Sequence, residues 1–183
     1  YLGLHALQHR GQESAGIVAS DGQHLKPYRA MGHVADIFSA PVLETLGGRS
    51  AVGHVRYSTA GGSHLRNVQP FQVSFALGQM AVAHNGNFVR ADATRTELEQ
   101  SGAIFQSDSD TENVVHLMAR SKEPTFEGRI VDALRQTEGA HSMLFLATDR
   151  LVAVRDAIGF RPLVLGRLNG AFVVASETTA FDL

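Results

Sequence analysis

The sequence predicts a single α+β domain built on antiparallel sheets, and three observations lead to this fold class. Apolar segments with strand periodicity follow one another with only tight turns between them, most clearly near the carboxyl end. Helical patterns are grouped instead of alternating with strands, which disfavours a parallel βαβ arrangement. No repeat, low-complexity tract or linker divides the 183 residues, a length that supports one sizeable core. We therefore expect antiparallel sheets with helices stacked outside, in one domain over residues 1–183.

The first half of the chain is predicted to begin with a helix and to continue with strands. Leu2, Leu4 and Leu7 lie among good helix formers and predict a helix that ends at Gly11. An Asp-Gly pair after an apolar run is typical of a hairpin turn. The elements that follow are a strand, its hairpin partner, a short helical segment, a strand and a long loop: "SAGIVASDG", "HLKPYRAMG", residues 34–46, "SAVGHVRYS" and "TAGGSHLRNVQP".

The second half is predicted to contain six strands and three helices. The strands are "FQVSFALG", "QMAVAHNG", "SMLFLAT", "LVAVRD", "PLVLGR" and "AFVVASE". The helices are "ADATRTELEQSG", residues 110–120, and a segment with Phe126, Ile130, Ala133 and Leu134 at helical spacing.

Composition excludes several classes of function. The net charge is −2 and no basic block occurs, so binding to nucleic acid or to a membrane surface has no electrostatic support. No apolar run approaches the ~18 residues that a membrane span needs. The chain has no cysteine, which excludes disulfides, zinc fingers and a cysteine nucleophile within these residues. Nothing resembles a secretory signal, so we expect a cytoplasmic protein.

The stretch "AVAHNGN" has two interpretations. Asn-Gly after an alternating apolar run is a strong signal for a type I′ hairpin turn, and most such turns do nothing else. The same pair, Asn85 and Gly86, could instead present hydrogen-bond donors for chemistry, since His84 precedes it and Asn87 follows. Residue patterns alone leave both interpretations open.

Two charged residues have a similar ambiguity. Arg56 lies where a predicted strand enters the long loop. It could bind a carboxylate through its guanidinium, or it could be an ordinary surface arginine. Ser109 and Glu112 form a capping-box pattern, which predicts Ser109 as the N-cap and Asp110 in the first helical turn. Asp110 then either complements the helix dipole or binds an ammonium group.

Two further patterns are weak. His5 and His9 are four residues apart on the predicted helix, a spacing that could chelate a metal, but no third ligand stands at a convincing distance. We therefore expect no metal site. The pairs Gly47-Gly48 and Gly61-Gly62 lack the lysine and the strand–helix context of phosphate loops, and we interpret them as turns.

Six stretches, taken in order, resemble the glutaminase domain of the glutamine phosphoribosylpyrophosphate amidotransferases, or amidophosphoribosyltransferases, a family of class II glutamine amidotransferases. They span nearly the whole chain: "LQHRGQESAGI", "GHVRYSTAG", "AHNGN", "SDTE", "RDAIGFRPLVLG" and "VASETTAFD". Related families differ in the same stretches. Glucosamine-6-phosphate synthases carry "EYRG" and "TRWATHG", and asparagine synthetases carry "HRGPD" and "NGEIYN".

The resemblance implies an N-terminal-nucleophile hydrolase fold, a four-layer αββα sandwich of antiparallel sheets. It assigns Arg56 to the α-carboxylate of glutamine and Asp110 to the α-ammonium, and it gives Thr59 a supporting role at the same end. The resemblance also implies that the Asn85 side-chain amide and the Gly86 backbone N–H form an oxyanion hole. Arg10 resembles the arginine that helps to position the nucleophile.

The chain departs from the family at the nucleophile. In the family this is a cysteine at the mature amino terminus, activated by its own α-amino group. The sequence has no cysteine and begins at what resembles the family's first helix. We therefore expect a glutaminase domain that lacks its nucleophile strand and has an unpaired sheet edge. The phosphoribosyltransferase domain expected downstream is also absent from the sequence.

By the resemblance, the intact protein hydrolyses glutamine and passes ammonia to phosphoribosylpyrophosphate, giving 5-phosphoribosylamine in the first step of de novo purine synthesis. The alternatives are another class II amidotransferase, or a domain without a nucleophile that binds glutamine and regulates. No cofactor is expected in this domain. Mg²⁺ is expected in the phosphoribosyltransferase domain, an iron–sulfur cluster is compatible with the full enzyme, and a homotetramer is expected.

Overall fold

The computed structural model describes residues 1–57 and 64–182. The amino-terminal part forms a three-stranded antiparallel sheet in the order β2-β1-β3. Its strands are β1 (Ser14–Ser20), β2 (Leu25–Met31) and β3 (Ser50–Arg56). Every residue of β1 is buried, as its run of small and apolar side chains requires of a central strand. Within the described residues β3 lies at the sheet edge, and its last residue, Arg56, pairs with Ser14.

A second antiparallel sheet has four strands in the order β4-β5-β6-β7. They are β4 (Phe71–Phe75), β5 (Gly78–Phe88), β6 (Gly139–Ala147) and β7 (Leu151–Arg155). A two-stranded hairpin of β8 (Val164–Leu168) and β9 (Ala171–Ala175) completes the strands of the described residues. These strands lie where the sequence predicts them.

Six α-helices occur in the described residues. They are α1 (Leu2–Ala6), α2 (Val34–Ile37), α3 (Ala40–Thr45), α4 (Ala91–Gln100), α5 (Thr111–Arg120) and α6 (Phe126–Leu134). A 3₁₀ turn, Gln8–Arg10, follows α1 and leads to Gly11, where the first helix was predicted to end. No described helix has both the length and the apolarity that crossing a bilayer requires.

Three groups of buried side chains stack these elements into four layers. Helices α4 to α6 cover the four-stranded sheet through a core that includes Leu98, Met118 and Phe145. The two larger sheets pack face to face through small and aliphatic residues such as Val18 and Leu146. Helices α1 and α2 cover the outer face of the three-stranded sheet through a third apolar group. The four-layer arrangement of helices and antiparallel sheets expected from the resemblance is therefore confirmed.

The capping box predicted for α5 is wrong. Asp110, not Ser109, is the residue at the N-cap, and no side chain caps the helix there. The Glu112 carboxylate reaches back to the backbone N–H groups of Gln106 and Ser107, at 2.9 and 2.7 Å, instead of to Ser109. The Glu112 carboxylate is therefore occupied by the preceding loop. The Asp110 carboxylate instead contacts strand β5, at the backbone N–H of Phe88.

The Asn-Gly pair does not form a turn. Strand β5 runs without interruption through Asn85 and Gly86, which face Ser142 and His141 of β6. The pairing with β6 continues to Phe88. Because β6 supplies partners on both sides of the pair, the extended ladder replaces the hairpin that the dipeptide favours on its own.

Candidate active site

An open cleft of about 900 Å³ lies at the ends of strands β3 and β5 and beside the amino-terminal end of α5. Five of the residues singled out from the sequence line this one cleft: Arg10, Arg56, Asn85, Gly86 and Asp110. They come from four separate stretches of the chain, so their meeting is a product of the tertiary fold. The sixth, Thr59, lies outside the described residues.

Gly86 is required by the geometry of the cleft wall. Its φ is +154°, and a Cβ at this position would lie 2.1 Å from the carbonyl oxygen of Ala140 and 2.8 Å from Nε2 of His84. Only glycine fits this approach of strand β6 to β5. The close fit fixes the direction of the backbone at Gly86.

Asn85 places an amide donor at the same wall. Its Nδ2 atom is buried and has no hydrogen-bond partner among the described residues. A buried donor without a partner costs free energy, so a native protein retains one where a ligand satisfies it. The Asn85 amide is therefore suited to donate to an oxygen atom that enters the cleft.

Arg56 is held rigidly at the end of β3. Its side chain is 9% exposed, and Nη1 lies 3.1 Å from the Glu13 carboxylate. A guanidinium carries five N–H donors in a planar fork, so pairing with Glu13 orients it and is compatible with a second carboxylate. The interpretation of Arg56 as a surface arginine is wrong, because its side chain is buried.

Asp110 presents a carboxylate that stays ionised. Its Oδ2 accepts a hydrogen bond from the backbone N–H of Phe88 at 2.9 Å, and Oδ1 lies 3.5 Å from Nδ1 of His84. Burial favours the neutral acid, but the nearby His84 ring and the hydrogen bonds from the backbone N–H groups of Phe88 and Thr111 outweigh it and hold the pKa of Asp110 below its usual value. A fixed anion of this kind suits an ammonium group.

Arg10 lines the cleft and forms an ion pair there that the sequence patterns did not predict. Its guanidinium bonds to the Glu177 carboxylate, whose other oxygen lies 2.9 Å from Nε2 of His9. The hydrogen bond from Arg10 is the main reason that the pKa of Glu177 lies below its usual value. The stretch "VASETTAFD" carries Glu177, but nothing in its pattern points to Arg10, which is 167 residues away.

Both ring nitrogens of His9 therefore have protein partners: Nε2 contacts the Glu177 carboxylate, and Nδ1 lies 3.1 Å from the Ala6 carbonyl oxygen. Within residues 1–57 and 64–182, no group of three or more histidine, cysteine, aspartate or glutamate side chains could hold a metal ion. His5 lies in α1 but His9 lies in the 3₁₀ turn that follows, so the single helix predicted to carry both histidines is wrong, and the pair has no third ligand among the described residues.

Comparison with known proteins assigns the class. A family model described as "Glutamine amidotransferase domain" matches residues 54–182, which is more than half of the chain. The chain therefore belongs to the glutamine amidotransferase domain family. That class agrees with a cleft that combines an arginine, an anionic aspartate and an unpartnered amide donor.

The individual relatives share one name. The chain is 56% identical to amidophosphoribosyltransferase 3, chloroplastic, of Arabidopsis thaliana over 184 residues, which is 100% of this chain and 35% of that protein. It is 45% identical to the amidophosphoribosyltransferase of Bacillus subtilis, with 100% and 39% covered. The chain thus spans between a third and two fifths of the length of these curated relatives.

A solved structure has the same fold. The glutamine phosphoribosylpyrophosphate amidotransferase of B. subtilis complexed with ADP and GMP superimposes with a TM-score of 0.93 at 44% identity. The match covers 100% of this chain and 39% of that chain. At this identity and TM-score, the four layers are those of a glutaminase domain of the N-terminal-nucleophile hydrolase type.

Proposed function

We propose that these residues are the glutaminase domain of an amidophosphoribosyltransferase, which catalyses the first step of de novo purine synthesis. In the intact protein, glutamine is hydrolysed in the cleft, and the ammonia passes to phosphoribosylpyrophosphate and displaces pyrophosphate to give 5-phosphoribosylamine. The observation that carries this proposal is the buried, unpartnered Nδ2 of Asn85 in the wall of a cleft that also contains Arg56 and Asp110.

Two charged side chains of the cleft match the two charged groups of glutamine. The Arg56 guanidinium pairs with the α-carboxylate and the Asp110 carboxylate with the α-ammonium. Both contacts are lost when these groups form peptide bonds, so the cleft selects free glutamine over a glutamine within a chain. Thr59 supports the same end, as the family resemblance implies.

The carboxamide end of glutamine then lies against Asn85 and Gly86. When a nucleophile attacks the carboxamide carbon, its oxygen gains negative charge, which the Asn85 Nδ2–H and the Gly86 backbone N–H stabilise. Two preorganised donors of this kind are worth about 3 kcal/mol or more in acyl-transfer sites. Breaking the C–N bond releases ammonia and leaves an acyl-enzyme, which water hydrolyses to glutamate.

The nucleophile is proposed to be a cysteine thiol from outside the 183 residues, because the sequence contains no cysteine. Its own α-amino group takes the thiol proton and returns it to the departing ammonia. Arg10, held by Glu177, helps to position this residue.

A second candidate function is that of a regulatory domain. Without a nucleophile the domain binds glutamine through Arg56 and Asp110 and acts as a regulatory module. Another class II amidotransferase, with a different ammonia acceptor, is the nearest enzymatic alternative.

The remaining properties of the whole protein are proposals too. No cofactor is proposed for this domain. Mg²⁺, and an iron–sulfur cluster where one is present, would bind in parts of the protein outside these residues. We propose a homotetramer in the cytoplasm, although the plant relative bears the name "chloroplastic".

One assay separates the three functions. The intact protein is incubated with glutamine, with and without phosphoribosylpyrophosphate, and glutamate and pyrophosphate are measured. Equal formation of both products supports the amidophosphoribosyltransferase. Glutamate without pyrophosphate indicates a different acceptor, and binding of glutamine without glutamate formation indicates the regulatory module.

A further inference from the structure

The Thr111 hydroxyl is a buried junction behind the cleft. The residue is 0% exposed and does not line the cleft itself. Its Oγ1 accepts a hydrogen bond from Nε2 of Gln69 at 3.2 Å and lies 3.1 Å from Nδ1 of His84. The Ser109 hydroxyl is also 3.1 Å away. One oxygen atom therefore joins three other segments: the loop before β4, strand β5 and the loop before α5.

These partners lead directly to the strand of the oxyanion hole. Oε1 of Gln69 accepts a hydrogen bond from the backbone N–H of His84 at 2.7 Å. His84 immediately precedes Asn85. The Gln69 side chain thus bridges the Thr111 hydroxyl and the backbone that carries the amide donor, and both ends of the bridge are buried.

The Thr111 hydroxyl is also linked, through His84, to the Asp110 carboxylate. Nδ1 of His84 lies between Thr111 Oγ1, at 3.1 Å, and Asp110 Oδ1, at 3.5 Å. The opposite ring nitrogen, Nε2, has no partner among the described residues, and the ring stacks on Phe88 with centroids 4.7 Å apart. Thr111 is therefore the nearer of the two polar contacts that orient the imidazole.

Because the Thr111 oxygen accepts hydrogen bonds from Gln69 and Ser109, its own O–H donates to Nδ1 of His84. We propose that Thr111 is a positioning residue that holds His84 Nδ1 as an acceptor and so prevents it from donating to Asp110, which leaves the Asp110 carboxylate available to the α-ammonium of the substrate. The inference rests on the proposed glutaminase function and adds a residue that acts through His84 without touching glutamine. Without the hydroxyl, His84 Nδ1 has Asp110 as its remaining polar neighbour. The imidazole then competes with the ammonium group for the same oxygen.

The test compares two amides in the intact protein. Glutamine carries the α-ammonium, and glutaramate, the monoamide of glutaric acid, lacks it. Thr111→Val should raise KM for glutamine about tenfold, a typical value for weakening one charge-assisted contact, with kcat changed by less than about threefold. For glutaramate, kcat/KM should change by less than about threefold, because no ammonium contact can be lost. Thr111→Ala removes the same hydroxyl in a smaller side chain and should behave alike if the valine variant does not fold.

Two further variants distinguish positioning from a general loss of structure. Thr111→Ser retains the hydroxyl and should restore the preference for glutamine over glutaramate. Thr137→Val is the matched control, since the Thr137 hydroxyl bonds only to the Leu134 carbonyl in the described structure. Thr137→Val should leave kcat and KM unchanged for both amides. Thermal unfolding of each variant shows that folded protein is compared.

The outcomes separate this inference from the proposed function. If the parent hydrolyses glutamine but a folded Thr111→Val variant loses activity equally on both amides, or on neither, the positioning role is overturned and the glutaminase function stands. If the parent does not hydrolyse glutamine, the proposed function fails and this inference fails with it.

Discussion

At the residue scale, three polar groups are expected to divide the recognition of one small molecule between them. Arg56 and Asp110 each carry a full charge in a partly water-excluded position, and Asn85 offers a neutral donor. The two charges match groups that do not react, so they contribute to binding in the ground state and the transition state alike. In the proposed mechanism the amide faces the atom whose charge changes, so it should contribute to the rate.

Replacing Asn85 with alanine should therefore lower kcat by about 10²–10³ and leave KM nearly unchanged, because an oxyanion donor acts in the transition state. Steady-state kinetics of glutamine hydrolysis by the intact protein measures both constants. Asn85→Asp keeps the shape but replaces the donor by an acceptor, and should lose at least as much. A rise in KM with unchanged kcat would make Asn85 a ground-state binding residue.

Arg56→Ala should mainly raise KM for glutamine, since the variant leaves the α-carboxylate of the substrate without its cation. Removing one partner of a charged hydrogen-bonded pair costs about 1.5–3 kcal/mol, which corresponds to a KM about 10- to 150-fold higher. Arg120→Ala, in an exposed last turn of α5, is the control. An unchanged KM in the Arg56 variant would contradict the assignment.

His54 gives the stability of the domain a pH dependence. Burial lowers the pKa of His54 from 6.5 to about 4, while its Nε2 lies 3.1 Å from the His84 carbonyl oxygen. Between pH 6.5 and 4 the unfolded chain binds a proton at this residue that the folded chain does not. Stability should therefore fall as the pH is lowered through this range, by at most about 1.4 kcal/mol per pH unit.

The variant His54→Gln keeps an N–H donor for the His84 carbonyl but cannot titrate. Its thermal midpoint should fall less steeply than that of the parent between pH 6.5 and 4, while the two proteins run parallel above pH 7. Identical slopes below pH 6.5 would show that His54 is protonated equally in both states.

At the element scale, the continuity of β5 determines the cleft. The strand carries Met80 and Val82 in the core and Asn85 and Gly86 in the cleft wall, so the packing of its first half fixes the direction of its second half. Pairing with β6 from Met80 to Phe88 holds both halves in one register.

Gly86→Ala should disrupt this ladder. The new Cβ would lie 2.1 Å from the Ala140 carbonyl oxygen, on a backbone with φ of +154°. Strain and overpacking together cost about 2–6 kcal/mol. Gly78→Ala is the matched control, because Gly78 also has a positive φ, +103°, but open space around it. Thermal unfolding should show a clearly larger loss for Gly86→Ala, and equal losses would mean that β6 yields to the side chain.

At the scale of the whole molecule, the four layers leave the cleft open where the two larger sheets end. The cleft of about 900 Å³ is bordered by both sheets, by α5 and by the segment around Glu177. The four layers thus provide the frame, and the candidate groups lie at or near the ends of four elements: the 3₁₀ turn after α1, β3, β5 and α5.

The 183 residues alone should not hydrolyse glutamine, because thioester formation requires a thiol and the sequence contains none. A protein that also carries the proposed amino-terminal cysteine should hydrolyse it. Measuring glutamate release from both, at equal concentrations and with matched circular dichroism spectra, tests this expectation. Turnover by the 183-residue chain would refute a cysteine-dependent mechanism.

The sequence by itself determined the strands, the helices and the chemical identity of the candidate groups. Alternating and helical apolar patterns are local, and so is the choice of arginine, asparagine or aspartate at a given position. Local patterns also identified Arg56, Asn85 and Asp110 as candidates, although they left each role open until the family resemblance assigned it.

Only the tertiary structure decided how these pieces are used. The dipeptide Asn85-Gly86 favours a turn locally, but its pairing with β6 keeps it extended. The predicted capping box does not form, because the Glu112 carboxylate accepts hydrogen bonds from the backbone N–H groups of Gln106 and Ser107. Glu177 meets Arg10 across 167 residues, and Thr111 meets Gln69 across 42. Such contacts form only when the layers pack against one another. The packing of the layers depends on side chains throughout the core, so no short segment of the sequence specifies it.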